Sequence, residues 1–297
     1  MSDESARFTL DTRWVRRSFD RAAAGYDAAA VLQTAVRDAL LERLQLTALA
    51  PRIVLDAGAG TGHASRALKD RYRRARVLAL DSALGMLRAA KRRQSWWRRF
   101  DRIQADAEHL PLPDASVDLI FSNLLLPWCN PDRVFAEFRR VLAPHGLLTC
   151  SNLGPDTLRE LRTAWASVDA RSHVNQFVDM HDLGDALVRA GFAAPVLDVD
   201  RFTLTYRDVR GLAADLKALG ARNFTADRPR GLTSRGRFLG MQAAYEAFRD
   251  DGRLPATVEV VFAHAWAGVE RPAQRRNGSA SIPLAELRRQ LQGRRKP

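Results

Sequence analysis

The fold of this chain is decided by one stretch of nine residues, Val54-Leu55-Asp56-Ala57-Gly58-Ala59-Gly60-Thr61-Gly62. The apolar residues 53–55 predict a short buried strand, and residues 64–68 predict the beginning of a helix. The three glycines predict a tight turn, because glycine adopts positive φ and leaves room for a ligand beside the backbone. The N–H groups that begin a helix also favour ligand binding. The stretch therefore predicts a strand–turn–helix unit at a ligand site.

Three further predicted strands carry polar side chains where they end. These segments span residues 77–81, 103–107 and 117–123. The carboxyl ends of parallel strands lie along one edge of a sheet, and open α/β sheets bind ligands there. The pattern therefore predicts an α/β protein with a Rossmann-like, doubly wound sheet and a crevice along that edge. The polar residues at these strand ends are Asp81, Asp106, Ser122 and Asn123.

Two of these segments match known motifs, Asp81-Ser82-x-x-x-Met86-Leu87 and Asp106-Ala107-x-x-Leu110-Pro111. With the glycine turn, they resemble the class I S-adenosylmethionine-dependent methyltransferases. The resemblance implies a seven-stranded sheet, helical lid insertions at its carboxyl edge, and S-adenosyl-L-methionine as the cofactor. A dinucleotide-binding dehydrogenase is the alternative, but it would require the fuller Gly-x-Gly-x-x-Gly pattern, which this turn lacks.

The resemblance also implies a role for each polar strand end. Asp81 would hold the two ribose hydroxyls, and Asp56 would hold the amino end of the cofactor. Asp106 and the Ala107 backbone would face the adenine amino group, while Met86 would cover one face of the adenine. For any one of these acids, a helix N-cap or a surface ion pair is the alternative. The predicted cofactor-binding residues are Asp56, Gly58, Ala59, Gly60, Gly62, Asp81, Ser82, Met86, Asp106, Ala107, Ser122 and Asn123.

Composition limits the remaining classes of protein. The chain has 297 residues, of which 46% are hydrophobic, enough for one core and an appended lobe. It contains no apolar run of membrane-spanning length, and its first 20 residues lack the apolar centre of a signal peptide. Two cysteines suit a reducing compartment, and the six histidines do not pair with cysteine at metal-ligand spacing. We therefore expect a cytoplasmic protein without a metal site or a membrane span.

The net charge of +13 has two explanations. A basic surface speeds encounters with acidic partners and also favours nonspecific nucleic-acid binding. Solvated arginines with no partner at all account for the charge equally well. Net charge is the one feature that supports a nucleic-acid-binding module, so we expect no specific nucleic-acid partner.

The order of predicted elements suggests three parts of the chain. Residues 14–45 predict helices, with an apolar stripe of Val31, Ala35, Leu40, Leu41 and Leu44. Strands five to seven are predicted at 147–150, 196–206 and 257–266. We expect an N-terminal helical segment or gate at 1–50, a methyltransferase domain at 51–268 with lid insertions near 155–177 and 208–249, and a basic, mobile tail at 269–297.

The sequence excludes some classes of atom as the acceptor of the methyl group. Amino-group methyltransferases usually carry an Asn/Asp-Pro-Pro-Tyr/Phe turn after the fourth strand, where this chain reads Ser122-Asn123-Leu124-Leu125. Cys129 follows Trp128 and has no cationic neighbour that would lower its pKa, so we interpret it as a small buried residue. An oxygen or carbon acceptor remains.

Further segments resemble the malonyl-acyl-carrier-protein O-methyltransferases of biotin synthesis. They cover about 18–268 of the chain, whereas the tail after 270 and several N-terminal residues have no match. A related branch, the complex I assembly factors that resemble arginine hydroxylases, shares the core and the Ser-Asn-Leu-x-x-x-Trp turn and stays an alternative. A methyltransferase for another small acid or a quinone precursor is also open. The segments are Ser18-Phe19-Asp20-Arg21-Ala22-Ala23-x-x-Tyr26-Asp27, Ser122-Asn123-Leu124-x-x-x-Trp128-Cys129, Arg171-x-His173-x-Asn175-x-Phe177, Leu216-Lys217-x-Leu219-Gly220-Ala221-x-Asn223 and Gly231-Leu232-Thr233.

This second resemblance implies an acceptor, a partner and candidate catalytic residues. The acceptor would be the free carboxylate of a malonyl thioester on acyl-carrier protein or coenzyme A, which is ionised at neutral pH and needs no general base. Tyr26 would close over the methyl donor, with a packing tyrosine as the alternative. Arg171, His173 and Asn175 would orient the malonyl group, although Arg171 could instead cap a helix. A basic rim would steer the acidic carrier protein, with solvated lid charges as the alternative: Lys217, Arg222, Arg228, Arg230 and Arg235.

Overall fold

The computed structural model describes residues 11–221, 223 and 233–268. A seven-stranded sheet has the order β3-β2-β1-β4-β5-β7-β6. Neighbours from β3 to β5 are parallel, whereas β7 runs antiparallel to both β5 and β6. The predicted doubly wound seven-stranded sheet is confirmed. The strands are β1 (Ile53–Ala57), β2 (Arg76–Asp81), β3 (Asp101–Gln104), β4 (Val117–Asn123), β5 (Leu142–Leu153), β6 (Phe192–Tyr206) and β7 (Leu254–Ala267).

Helices cover both faces of this sheet and its carboxyl edge. Three short 3₁₀ turns, Leu44–Leu46, Leu126–Trp128 and Glu246–Phe248, supplement them. The part of the chain that the structure describes contains no helix long and apolar enough to cross a membrane. The α-helices are α1 (Thr12–Ala22), α2 (Tyr26–Ala29), α3 (Val31–Arg43), α4 (His63–Arg71), α5 (Leu84–Arg93), α6 (Pro131–Val141), α7 (Arg159–Ala166), α8 (Met180–Arg189), α9 (Val209–Ala218) and α10 (Arg235–Tyr245).

The central strands are buried on both faces because helices cover each side of a parallel sheet. Neighbouring residues of β1 show this, since Val54 and Leu55 are both fully buried but belong to different apolar clusters. Leu55 packs in the cluster that includes Phe135 of α6 and Leu183 of α8. Val54 packs in the cluster that includes Leu40 of α3. The sheet therefore holds its strand ends rigidly at the carboxyl edge.

The helices α7, α9 and α10 form a smaller apolar cluster of their own. It contains Leu161, Leu212 and Met241, together with the buried Tyr245. The Tyr245 hydroxyl donates a hydrogen bond to the Pro255 carbonyl at 2.8 Å, which fixes α10 to β7. We call these three helices the lid, since they stand beside the carboxyl edge. They fall within the insertions expected near 155–177 and 208–249, whereas the predicted tail at 269–297 lies outside the described residues.

The predicted apolar stripe of α3 is wrong at its beginning. Val31 is 66% exposed and Ala35 is also exposed, whereas Val36, Leu40 and Leu44 are fully buried. The buried residues follow one another at intervals of four, which places them on one side of the helix. Val31 instead stands in the first turn of α3, where it lines the cavity described below.

Several strand bounds also differ from the prediction. β3 covers residues 101–104 rather than 103–107, so Asp106 lies in the loop after the strand. β5, β6 and β7 are longer than predicted at one or both ends. Antiparallel pairing of β6 with β7 extends to Tyr206 opposite Leu254, past the end of the core sheet. Pairing between distant segments, and not the local sequence, fixes these strand lengths.

Candidate functional site

A cavity of about 680 Å³ opens at the carboxyl edge of the sheet. The glycine turn after β1 and the loops after β2, β3 and β4 form its floor. Residues of α1, α2 and the first turn of α3 line it, and so do residues of the lid helices α7 and α9. The cavity is therefore long enough to join the predicted cofactor residues to the predicted acceptor residues.

The turn after β1 depends on its glycines. Gly58, Gly60 and Gly62 all have positive φ, and the N–H groups of Gly58 and Ala59 both donate to the Leu80 carbonyl at 2.9 Å. A Cβ at Gly62 would lie 2.8 Å from the Cβ of Ala90, so this glycine allows α4 to approach α5. Gly62 does not line the cavity and so has a packing role, whereas Gly58 and Gly60 do line it.

Asp81 lies at the end of β2 and lines the cavity. Its carboxylate accepts the Gly60 N–H at 2.9 Å and the Ala83 N–H at 2.8 Å. Burial raises the pKa of Asp81 to about 6, although its backbone hydrogen bonds act in the opposite direction. The side chain thus joins the glycine turn to the beginning of α5 and presents a carboxylate to the cavity.

Asp56, at the end of β1, is the second carboxylate in the floor. It is 1% exposed and accepts a short hydrogen bond from the Ser65 hydroxyl. Burial, with a smaller contribution from Asp81, raises the pKa of Asp56 to about 7. No arginine or lysine of the described chain forms an ion pair with either carboxylate. A buried and a half-buried carboxylate, neither paired with a cation, suit a ligand that carries positive charge, as the sulfonium and ammonium groups of S-adenosylmethionine do.

The other predicted cofactor residues divide into two groups. Asp106 lines the cavity, and its carboxylate accepts the Glu108 N–H at 3.0 Å. Asn123 lines it too and donates to the Gln33 carbonyl at 3.1 Å, which holds α3 against β4. Ser122 is fully buried and does not line the cavity, because successive residues of a strand point to opposite sides. The remaining lining residues from the prediction are Ala59, Ser82, Met86 and Ala107.

Tyr26 begins α2 and lines the cavity between the cofactor floor and the lid. Its ring lies 6.5 Å from the ring of Phe19, which in turn contacts Trp128 edge-on at 5.3 Å. Burial, followed by the negative charges of Asp81 and Asp27, raises the pKa of Tyr26 above its ordinary value. The phenol therefore stays neutral at physiological pH.

Asp27, the next residue, holds α2 against the glycine turn. Its carboxylate accepts the Thr61 hydroxyl at 2.6 Å and a short hydrogen bond from Arg93, and His63 Nε2 lies 3.4 Å away. Neither Asp27 nor Arg93 was among the predicted site residues. Asp27 stands beside Tyr26 in a segment that resembles the family, which is a signal in the sequence, but Arg93 is 66 residues away and carries none. We call Asp27 with Thr61 and Arg93 the latch of α2.

The three predicted acceptor residues are not brought together. His173 and Asn175 line the cavity on its lid side, whereas Arg171 is exposed and does not line it. The backbone N–H of Arg171 donates to Asp169 at 3.0 Å, so the segment turns its side chain outward. His173 Nε2 lies 2.8 Å from the same carboxylate, and its ring stacks on Trp165 at 3.8 Å. His173 and Asn175 therefore reach the cavity and Arg171 does not, while the acceptor role of all three stays a prediction.

Two further predictions concern Cys129 and the basic rim. Cys129 lines the cavity, and burial raises the pKa of its thiol far above the ordinary value, so it is not an activated nucleophile. Lys217 and Arg235 of the rim are exposed. Within the described residues, no group of three or more side chains could hold a metal ion. The remaining rim residues, Arg222, Arg228 and Arg230, lie outside the described residues.

Comparisons with known proteins agree with this geometry. Residues 55–150 match the family model described as a methyltransferase domain. The malonyl-[acyl-carrier protein] O-methyltransferase of Methylovorus sp. is 55% identical over 273 residues, which are 90% of this chain and 92% of that protein. The enzyme of the same name from Laribacter hongkongensis is 52% identical over 284 residues, or 93% and 96% of the two chains. The YcgJ protein of Bacillus subtilis has a similar fold, with a TM-score of 0.57 and 15% identity over 77% of this chain and 97% of that one.

Proposed function

We propose, since this chain belongs to the malonyl-[acyl-carrier protein] O-methyltransferase family, that it methylates the free carboxylate of a malonyl thioester on acyl-carrier protein. The observation that supports this acceptor is the continuous cavity from Asp56 and Asp81 to His173 and Asn175. The product, a methyl ester, would serve biotin synthesis as in the resembled family.

S-adenosyl-L-methionine is the cofactor and supplies a methyl group that its sulfonium has already activated. Asp81 would hold the ribose hydroxyls while it keeps the Gly60 N–H in place. Asp56 would offset the positive charge of the amino end through its buried carboxylate. The pKa values of about 7 and 6 for Asp56 and Asp81 would fall when a cation comes near, so binding would release protons near neutral pH.

The acceptor oxygen needs orientation rather than a base. A malonyl carboxylate is ionised above about pH 5, so the protein has no proton to remove. His173 and Asn175 would orient this carboxylate from the lid side, and the neutral Tyr26 would cover the reacting atoms against water. Most of the rate acceleration would therefore come from holding the acceptor oxygen in line with the methyl carbon.

The direct test is methyl transfer to purified malonyl-acyl-carrier protein, with mass detection of the ester. Acetyl-acyl-carrier protein, which lacks the free carboxylate, is the matched control acceptor. We expect a mass gain of one methyl group on the malonyl form and none on the acetyl form. If the enzyme binds S-adenosylmethionine but modifies neither acceptor, the proposed acceptor is wrong. A quinone-precursor methyltransferase or an assembly factor would then be the better assignment.

A further inference from the structure

Six arginines on the contacting helices α1 and α5 are exposed. None of them forms an ion pair with a residue of the described chain, in contrast to Arg93 and Arg98 nearby. The two carboxylates of α1 and its cap are occupied by backbone groups, since Asp11 accepts the Trp14 N–H and Asp20 accepts the Gly85 N–H. We call these arginines the basic face: Arg13, Arg16, Arg17, Arg21, Arg88 and Arg92.

The packing of α1 on α5 makes this a single surface. A Cβ at Gly85 would lie 2.8 Å from the Asp20 carbonyl oxygen, so the two helices are in close contact there. Arg88 and Arg92 follow Gly85 by three and seven residues and so share its side of α5. Trp14 of α1 is 45% exposed and lies one turn before Arg17, which adds an apolar anchor among the cations.

The basic face also continues into the site. Arg13 and Arg16 line the cavity, whereas Arg17 and Arg21 lie outside it on the same helix. A macromolecule bound here would therefore have an arm attached to it within reach of Tyr26. Unpaired cations around one exposed aromatic side chain complement an acidic protein surface.

We propose that the basic face docks the acidic carrier protein that presents the malonyl thioester, an inference that rests on the proposed function. Ion pairs between exposed arginines and an acidic surface add little net affinity because water and salt screen them, so the principal effect would be on the rate of association. The lid would then contact the thioester arm and the malonyl group rather than the carrier itself. Docking on α1 would also place the carrier on the segment that bears Tyr26.

The test uses Arg17→Glu/Arg21→Glu, because neither residue lines the cavity. The matched control is Arg73→Glu/Arg74→Glu, which changes two adjacent exposed arginines before β2, at the opposite edge of the sheet. Each protein is assayed with malonyl-acyl-carrier protein and with malonyl-N-acetylcysteamine, which has the same reacting group and no carrier. We expect kcat/KM for the carrier substrate to fall at least about tenfold in the α1 variant alone.

The carrier-free substrate and the salt dependence distinguish a docking defect from a general loss of activity. Turnover of malonyl-N-acetylcysteamine should be unchanged in both variants, and added salt should reduce carrier-dependent kcat/KM less in the α1 variant than in the unmodified enzyme. Equal losses on both substrates, or equal losses in the control variant, would overturn the docking proposal. So would an α1 variant that loses RNA-oligonucleotide binding but turns over the carrier substrate normally. If the unmodified enzyme makes no ester on the carrier, the proposed function is wrong. That result is distinct from failure of the docking proposal, in which the unmodified enzyme is active and the α1 variant is equally active.

Discussion

Replacing Asp81 by Asn tests the predicted cofactor site, because this carboxylate contacts both the glycine turn and the beginning of α5. The carboxylate accepts the Gly60 N–H at 2.9 Å and the Ala83 N–H at 2.8 Å, and its cavity-facing side would accept both ribose hydroxyls. Asn has nearly the same size and retains one carbonyl oxygen. It cannot accept hydrogen bonds with both of its terminal atoms, and it carries no charge.

The magnitude follows from the two ribose hydrogen bonds. A hydrogen bond to a charged group contributes about 1.5–3 kcal/mol, whereas one between neutral groups contributes about 0.5–1.5 kcal/mol. Loss of the charge on two bonds therefore removes about 2–3 kcal/mol, and cofactor affinity should fall about thirty- to a hundred-and-fiftyfold. Asp81→Ala should lower cofactor affinity further, because it also leaves the Gly60 and Ala83 N–H groups without an acceptor and loosens the glycine turn.

The assay is calorimetric titration with S-adenosylhomocysteine at pH 8, where both floor carboxylates are ionised. Asp101→Asn is the matched control, since Asp101 begins β3 far from the cavity and pairs with Arg76 at the surface at 2.6 Å. Its affinity for the ligand should equal that of the unmodified protein. An Asp81→Asn variant that melts normally and binds within about threefold of the unmodified protein would refute the ribose contact.

Four further outcomes are expected. Burial raises the pKa of Asp56 to about 7 and that of Asp81 to about 6 in the folded protein, so the ligand-free form should lose stability as pH rises from about 4 to 7, and thermal melting of Asp56→Asn should lack most of this slope. Cofactor affinity should rise over the same interval, and a flat titration from pH 5.5 to 8 would contradict it. Tyr26→Ala should lower kcat about a hundredfold or more with a small change in melting temperature, while Tyr26→Phe stays active; a large drop in melting temperature with normal turnover would make the ring a packing residue. Asp27→Asn should free α2 and raise KM for the cofactor more than it changes the melting temperature, and an unaltered KM would remove the latch from the site.

Local sequence was enough to predict the sheet and the floor of the site. The glycine turn and the acids after β1 and β2 lie within a few residues of apolar runs, and such short-range patterns specify a strand, a turn and a helix. Asp56 and Asp81 line the cavity for that reason. The acceptor side was predicted less well, because its residues come from a lid whose position no local pattern specifies.

The tertiary structure decided which of the predicted residues reach the cavity. Ser122 and Asn123 are neighbours in β4, and the alternation of side chains along the strand turns only Asn123 toward the cavity. Arg171 faces solvent because Asp169 holds its backbone N–H, a contact that residue type alone does not reveal. Asp27 and Arg93 meet only because α2 folds back across the glycine turn. The sequence by itself therefore determined the fold and the carboxylates after β1 and β2 through local periodicity, while contacts between distant segments decided which other side chains line the cavity.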